Sequence, residues 1–238
     1  MMIIELMGGL GNQLQQYALY RKYLKLGTKV KLDLCWFDES VQKDMKAKRN
    51  IEIDRFSGVK YEVCTKEERD SLLGKNDLIT KIRKKIRPSL NRVYDESVIC
   101  DPALLGFKDR YLRGYFACEY YYADILDELR DELILPEKKE LEGIVSDIRE
   151  AESRSCSVHL RRGDYLEEEN MKIFGNICTD EYYGSAIDTA IKKGAGKFYI
   201  FSEDRDHALG FADMIRNKYG KEALYVDENR GDDSCYDI

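Results

Sequence analysis

Tryptophan occurs once in the 238 residues, at Trp36, histidine twice and proline three times. Two histidines, His159 and His207, are too few for a histidine-based zinc site. The seven cysteines (Cys35, Cys64, Cys100, Cys118, Cys156, Cys178, Cys235) never take the CxxC spacing that would make up the shortfall. An odd, scattered set of thiols also argues against a disulfide framework and fits a reducing compartment. No run approaches the ~18 uninterrupted apolar residues of a membrane span. No basic region followed by an apolar stretch opens the chain, so a cytoplasmic location is expected. Basic residues are not in excess either. The balance of 39 Lys and Arg against 45 Asp and Glu gives a net charge of −6, which argues against nucleic-acid binding through overall charge. What is present is a hydrophobic fraction of 43%, enough to exclude a chain too polar to fold. The length suits one large domain or two small ones.

The first 34 residues read strand, glycine turn, helix, strand. Residues 2–7 are short and apolar, and Gly8, Gly9 and Gly11 make the turn. Leu14, Tyr17, Ala18 and Leu24 then fall at helical spacing, with Gly27 as a cap and an alternating strand from Thr28 to Leu34. Residues 38–100 are charged and irregular. They include the basic run Lys81–Arg87 before Pro88, read as a solvated helix face, with a membrane-surface contact as the minority reading. A strand is expected at 111–116 and helices at 122–133 and 138–150. A second α/β unit follows: strand 156–160, helix from Thr179 or Asp180 to Gly194, strand 197–201, helix 204–219 and strand 223–226. The alternation predicts an α/β fold with largely parallel sheets covered on both faces. A boundary near 150–154 divides the chain into units of 1–152 and 153–238.

Three segments carry chemistry. In Gly8-Gly9-Leu10-Gly11-Asn12-Gln13, glycines between a strand and a helix allow close backbone approach and leave N–H groups free at the helix start, where an anion is favoured. A dinucleotide fingerprint would need Gly or Ala where Leu14 stands, and no Gly-Lys-Ser/Thr follows for a phosphate-binding loop of the Walker type. A plain tight turn is the competing reading. The second segment, Ser157-Val158-His159-Leu160-Arg161-Arg162-Gly163-Asp164-Tyr165, ends an apolar strand in two arginines and a glycine turn. Ligands of open α/β sheets bind beyond the carboxyl ends of strands, and arginine's planar fork suits a diphosphate. The competing reading is a surface arginine pair bridged to carboxylates. The third, Phe201-Ser202-Glu203-Asp204-Arg205-Asp206-His207, has three readings. Asp204 and Asp206 as a DxD pair hold a divalent metal, or Ser202, Glu203 and Asp204 sit at a helix start as contacts to a nucleoside, or they only cap the helix.

Together, GGLGNQLQQYA, HLRRGDYL, Cys178-Thr179-Asp180-Glu181-Tyr182-Tyr183, FSED and Val226–Ser234 resemble, in order, the motifs of the bacterial α-1,2-fucosyltransferases of glycosyltransferase family eleven. HxRRGDY is matched in full, while Gln15 stands where the family commonly has Phe. The resemblance implies a GT-B-like enzyme with two Rossmann-like lobes. It implies inverting transfer of L-fucose from GDP-β-L-fucose to the 2-hydroxyl of a galactose-terminated acceptor, without a metal or other cofactor. The amino-terminal lobe would serve the acceptor and the carboxyl-terminal lobe the donor. Arg161 and Arg162 would hold the diphosphate and stabilise departing GDP, and Asp164 would act beside them as a catalytic residue. His159, Ser202 and Asp204 would lie at the donor, and Gly9, Gly11, Asn12 and Gln13 would approach it. The general base is unnamed, with Asp164 and Glu169 as candidates.

Family members continue into a tryptophan-bearing motif that is not found after Tyr236, so the second lobe is expected to be incomplete. Two alternatives follow. One is a catalytically incomplete chain that binds at most GDP or a sugar. The other is a metal-dependent GT-A transferase using Asp204 and Asp206.

Overall fold

The computed structural model describes residues 1–45, 48–74, 91–162, 168, 171–172, 177–227, 229 and 235–236. The basic run Lys81–Arg87, Asp164, Glu169 and most of the 226–234 segment lie outside the described residues. The chain divides into two compact units, Met1–Pro136 and Glu137–Ile238.

The first unit holds β1 (Met2–Glu5), α1 (Leu10–Lys25), β2 (Val30–Asp33), α2 (Lys66–Leu73), β3 (Val93–Asp95), β4 (Tyr111–Arg113) and α3 (Leu126–Glu132). Its four strands form one sheet in the order β2-β1-β4-β3, and every pairing is parallel. Period-2 alternation sends Ile3 and Tyr111 to one face, where Leu72 of α2 packs on them. α1 packs along β1 and β2. Its Tyr17, Leu19, Tyr20 and Tyr23 are buried, and the Tyr23 hydroxyl donates to the Leu104 carbonyl at 2.6 Å.

α2 and β3 lie in the stretch that reads as irregular. α2 nevertheless carries a start signal: Thr65 accepts from the Glu68 N–H, and the Glu68 side chain accepts from the Thr65 N–H, a reciprocal capping box. The strand expected over 111–116 stops at Arg113. Gly114 takes φ +159°, Phe116 takes φ +54°, and the Glu96 carboxylate captures the N–H groups of Tyr115 and Phe116 at 2.7 and 3.0 Å. Those donors are therefore lost to the ladder.

The second unit holds α4 (Glu142–Ala151), β5 (Ser155–His159), α5 (Asp180–Lys192), β6 (Lys197–Phe201), α6 (Arg205–Tyr219) and β7 (Glu222–Tyr225). The sheet order is β5-β6-β7, again parallel. Val158, Phe198, Ile200 and Ala223 point to one face, where Ile187 of α5 and Ala208, Phe211, Ala212 and Ile215 of α6 close the core. Thr179 caps α5, accepting from the Tyr182 N–H at 3.3 Å, and Asp204 caps α6.

The unit boundary differs from the one expected near 150–154 and falls between Pro136 and Glu137. The reason lies in α4, which belongs to the second sheet. Its Asp147 takes the Lys197 ammonium at 2.5 Å and the Tyr199 hydroxyl at 3.0 Å, on the face opposite α5 and α6. The α/β class with parallel sheets is the one the alternation predicts. Among the described residues, no helix is long and apolar enough to cross a membrane.

Candidate functional site

The second sheet ends in the two arginines. β5 hands over at His159, the Leu160 N–H still donates to the Phe201 carbonyl at 2.8 Å, and Arg161 and Arg162 follow beyond the ladder. Leu160 is buried because it continues the core face of β5, which fixes where the arginines leave the sheet. Arg161 is exposed and Arg162 half-buried. His159 is exposed, and its carbonyl accepts from the Tyr183 hydroxyl of α5 at 3.0 Å.

The adjacent strand supplies the surroundings. The Ser202 hydroxyl donates to the Leu160 carbonyl at 2.8 Å and accepts from the Asp204 N–H at 3.1 Å. Glu203 Oε1 accepts from the Arg162 backbone N–H at 3.1 Å, and Asp204 Oδ2 accepts from Arg162 Nε at 3.0 Å. Asp204 Oδ1 accepts from the His207 N–H at 3.1 Å. That backbone bond, with the Arg162 guanidinium second, holds the Asp204 carboxyl below its ordinary range. From β7, the Tyr225 hydroxyl donates to the Ser202 carbonyl at 3.1 Å, and Asp227 faces Arg205 at 3.4 Å.

Three expected residues, Arg162, Ser202 and Asp204, thus form one hydrogen-bonded cluster at the carboxyl edge of the sheet. For Arg162 the carboxylate-bridged reading holds as well. Asp204 caps a helix, and both of its oxygens are engaged, while Asp206 sits on the first turn of α6. Among the described residues, no group of three or more His, Cys, Asp or Glu side chains is gathered to hold a metal ion.

The glycine turn belongs to the first unit. Gly8 sits at φ +81°, and a Cβ there would stand 2.5 Å from Asn12 Nδ2. α1 starts at Leu10 with no side-chain cap and no acid in its first turn. Its first N–H groups are therefore left to the backbone arrangement alone, the condition for anion attraction. Arg49 reaches the same turn, its guanidinium carbon 3.9 Å from a Cβ built on Gly9.

Gln13 departs from expectation. It is fully buried, and its amide is used up on the backbone. Nε2 donates to the carbonyls of Gly8 and Asn50 at 2.9 and 2.8 Å, while Oε1 accepts from Glu52 and Ile53 N–H at 2.8 and 3.3 Å. It braces the turn and presents no group to a ligand. Gln16 does the same between sheet ends, accepting from Met7 N–H at 3.0 Å and donating to the Gly114 carbonyl at 2.9 Å.

Sequence reading missed a second cluster, at the carboxyl edge of the first sheet. Glu5 pairs in register with Asp33, and Arg113 with Asp95. The Tyr111 hydroxyl lies 2.7 Å from Asp33 Oδ2 and 3.1 Å from Glu5 Oε1. Arg113 bridges Glu5 and Asp95 at 3.0 and 3.1 Å. Arg69 of α2 approaches Asp33 at 3.8 Å and bonds Cys35 Sγ. Burial first, then the two carboxylates, pushes the Tyr111 phenol far above its ordinary range. Burial pushes the Cys35 and Cys64 thiols up to about 11 and about 12. The available signal was a period-2 strand ending in a charge, present in β1, β2 and β4 alike.

Residues 97–210, just under half of the chain, match the family described as Glycosyl transferase family 11. The match contains the arginine pair and the Ser202–Asp204 turn, and it starts after the glycine turn. The chain is 29% identical over 212 residues to an alpha-1,2-colitosyltransferase of Escherichia coli, covering 85% of this chain and 68% of that protein. Crystal structures of POFUT1 in complex with GDP and with GDP-fucose align at 14% and 13% identity, with TM-scores of 0.36 and 0.35. They cover 94% of this chain and 84% and 83% of theirs. Scores this low carry no argument about fold or chemistry.

Proposed function

We propose that this chain is a glycosyltransferase of family 11 that transfers L-fucose, with inversion, from GDP-β-L-fucose to the 2-hydroxyl of a galactoside. The observation that carries the reading is the arginine pair at the carboxyl end of β5, with Arg162 held in place by acids from the neighbouring strand end. A ligand-binding arginine in an open α/β sheet belongs at this edge. Support comes from the family match over 97–210 and from the relationship to a sugar transferase of the same linkage type. Two units, each with a parallel sheet, suit a GT-B-like enzyme.

In this reading Arg161 and Arg162 bind the diphosphate of the donor. Their fixed charge offsets the negative charge that grows on GDP as the glycosidic bond breaks, which lowers the barrier without a metal ion. The acceptor hydroxyl attacks the anomeric carbon from the opposite side, which inverts the centre. The exposed His159 edge lies beside the arginines and completes the proposed donor contacts in this unit. Asp164, as a further catalytic group, and Gly9, Gly11 and Asn12, as further donor contacts, enter the proposal on the motif resemblance alone. The enzyme would work in the cytoplasm on a galactose-terminated glycan precursor.

A second reading, transfer of colitose, is favoured by the name of the Escherichia coli relative. Incubating the purified chain with GDP-fucose and lactose, and in parallel with GDP-colitose, separates the two. Transfer of fucose that survives EDTA supports the first reading. Preference for GDP-colitose supports the second. Activity that disappears in EDTA and returns with Mn²⁺ would replace both with a metal-dependent transferase. GDP binding without any turnover would leave a nucleotide binder.

A further inference from the structure

The turn between β6 and α6 reaches back to the end of β5 through three consecutive residues. Ser202 bonds the Leu160 carbonyl, Glu203 bonds the Arg162 backbone N–H, and Asp204 bonds Arg162 Nε. Backbone and side chain of one arginine are therefore both anchored by a segment some forty residues away. The division of labour within Asp204 is specific. Oδ1 accepts from the His207 N–H and starts α6, while Oδ2 takes the guanidinium.

Nε is the inner nitrogen of the arginine fork. Holding it fixes the plane of the guanidinium and leaves Nη1 and Nη2, the pair that matches two phosphate oxygens, with no bond to a described residue. Asp204 commits one lone pair of each oxygen inside the chain, Oδ1 to the start of α6 and Oδ2 to Arg162, so those two partners set the orientation of its carboxylate.

We propose that Asp204 is a positioning residue for Arg162: it does not touch the donor but holds the guanidinium by Nε so that the two terminal nitrogens meet the diphosphate. The inference rests on the donor-site reading above. Helix α6 supplies the lever. Because the same carboxylate caps α6, the arginine is tied to the core-packed helix rather than to a loose loop, and it is set before the ligand arrives. Preorganisation of this kind strengthens binding by removing the cost of ordering a long side chain.

The test is calorimetric titration of GDP into five proteins: wild type, Arg162→Ala, Asp204→Ser, the double variant and a charge control. Serine keeps a hydroxyl to cap α6 but is too short to reach the guanidinium. Asp213→Ser, which removes an acid far along α6, is the charge control and leaves GDP affinity unchanged. Asp204→Ser is expected to weaken GDP binding about tenfold, the size of one charge-assisted hydrogen bond. In the Arg162→Ala background it is expected to add nothing, because there is no guanidinium left to position. The Arg162 Nε–H resonance is expected to shift in Asp204→Ser before GDP is added. A full tenfold loss in both backgrounds, no loss in either, or an unmoved Nε–H resonance would overturn the positioning role. GDP binding unchanged in Arg162→Ala would instead overturn the donor-site reading itself.

Discussion

At the carboxyl edge of the first sheet the charges are mostly acidic and spend themselves on one another. Asp33 and Glu5 share the Tyr111 hydroxyl, Arg113 bridges Glu5 and Asp95, and Gln13 and Gln16 consume their amides on nearby backbone. At the carboxyl edge of the second sheet Glu203 and Asp204 both serve Arg162, whose terminal nitrogens have no bond to a described residue. The two edges share a parallel sheet, a glycine or acid-capped turn and a following helix. They differ in whether the polar groups close on themselves. A closed network stabilises a fold, since buried polar atoms need partners. An edge with donors to spare is where a ligand can be recognised. Sequence alone shows polar residues at both edges and cannot say which set is closed.

The largest effect is expected where closure is tightest. Gln13→Ala strips partners from the Gly8 and Asn50 carbonyls and from the Glu52 and Ile53 N–H groups. Unfilled buried groups should lower stability by about 2–4 kcal/mol. Thermal and urea unfolding followed by circular dichroism would check it. A variant as stable as wild type would break the claim that this residue is structural. Next comes Gly8→Ala, where φ +81° disfavours any side chain and the new Cβ crowds Asn12. The expected loss is about 1–2 kcal/mol in the same unfolding assay.

The smallest effect concerns acid. The Asp147 carboxyl is held below its ordinary range by the Lys197 ammonium and then by the Tyr199 hydroxyl; the Asp204 carboxyl is held low by the His207 N–H and then by Arg162. A carboxyl whose pKa is lower folded than unfolded adds stability that is complete above the unfolded value of about 4. That stability is lost as pH falls through the lower folded value. Acidification below about pH 4 should therefore loosen the second unit, and Asp147→Asn should flatten the dependence. An unchanged acid profile in Asp147→Asn would contradict the assignment.

The motif-bearing stretches were legible because their signals are local. A glycine run between strand and helix, Asp204 before a helix and arginines at the end of an apolar strand all act within a few residues. β6 at 197–201 matches its expected bounds for the same reason. What was not legible depends on contacts distant in sequence. β3 is three residues long and exists because it pairs with β4. The domain boundary depends on Asp147 meeting Lys197, fifty residues away. Gln13 looked like a ligand group because glutamine after a glycine turn can be one. Its burial under residues 50–53 has no trace near it in the sequence. The Thr65 capping box was the exception, a local signal that was present and passed over.

The arginine-bearing edge of the second sheet is the proposed donor site, and GDP titration into wild type and Arg162→Ala under identical salt tests that assignment most directly. The prediction is saturable GDP binding by the wild type, weakened about 10- to 100-fold in the variant, with both proteins unfolding at the same temperature. Equal GDP affinity in the two proteins would contradict it.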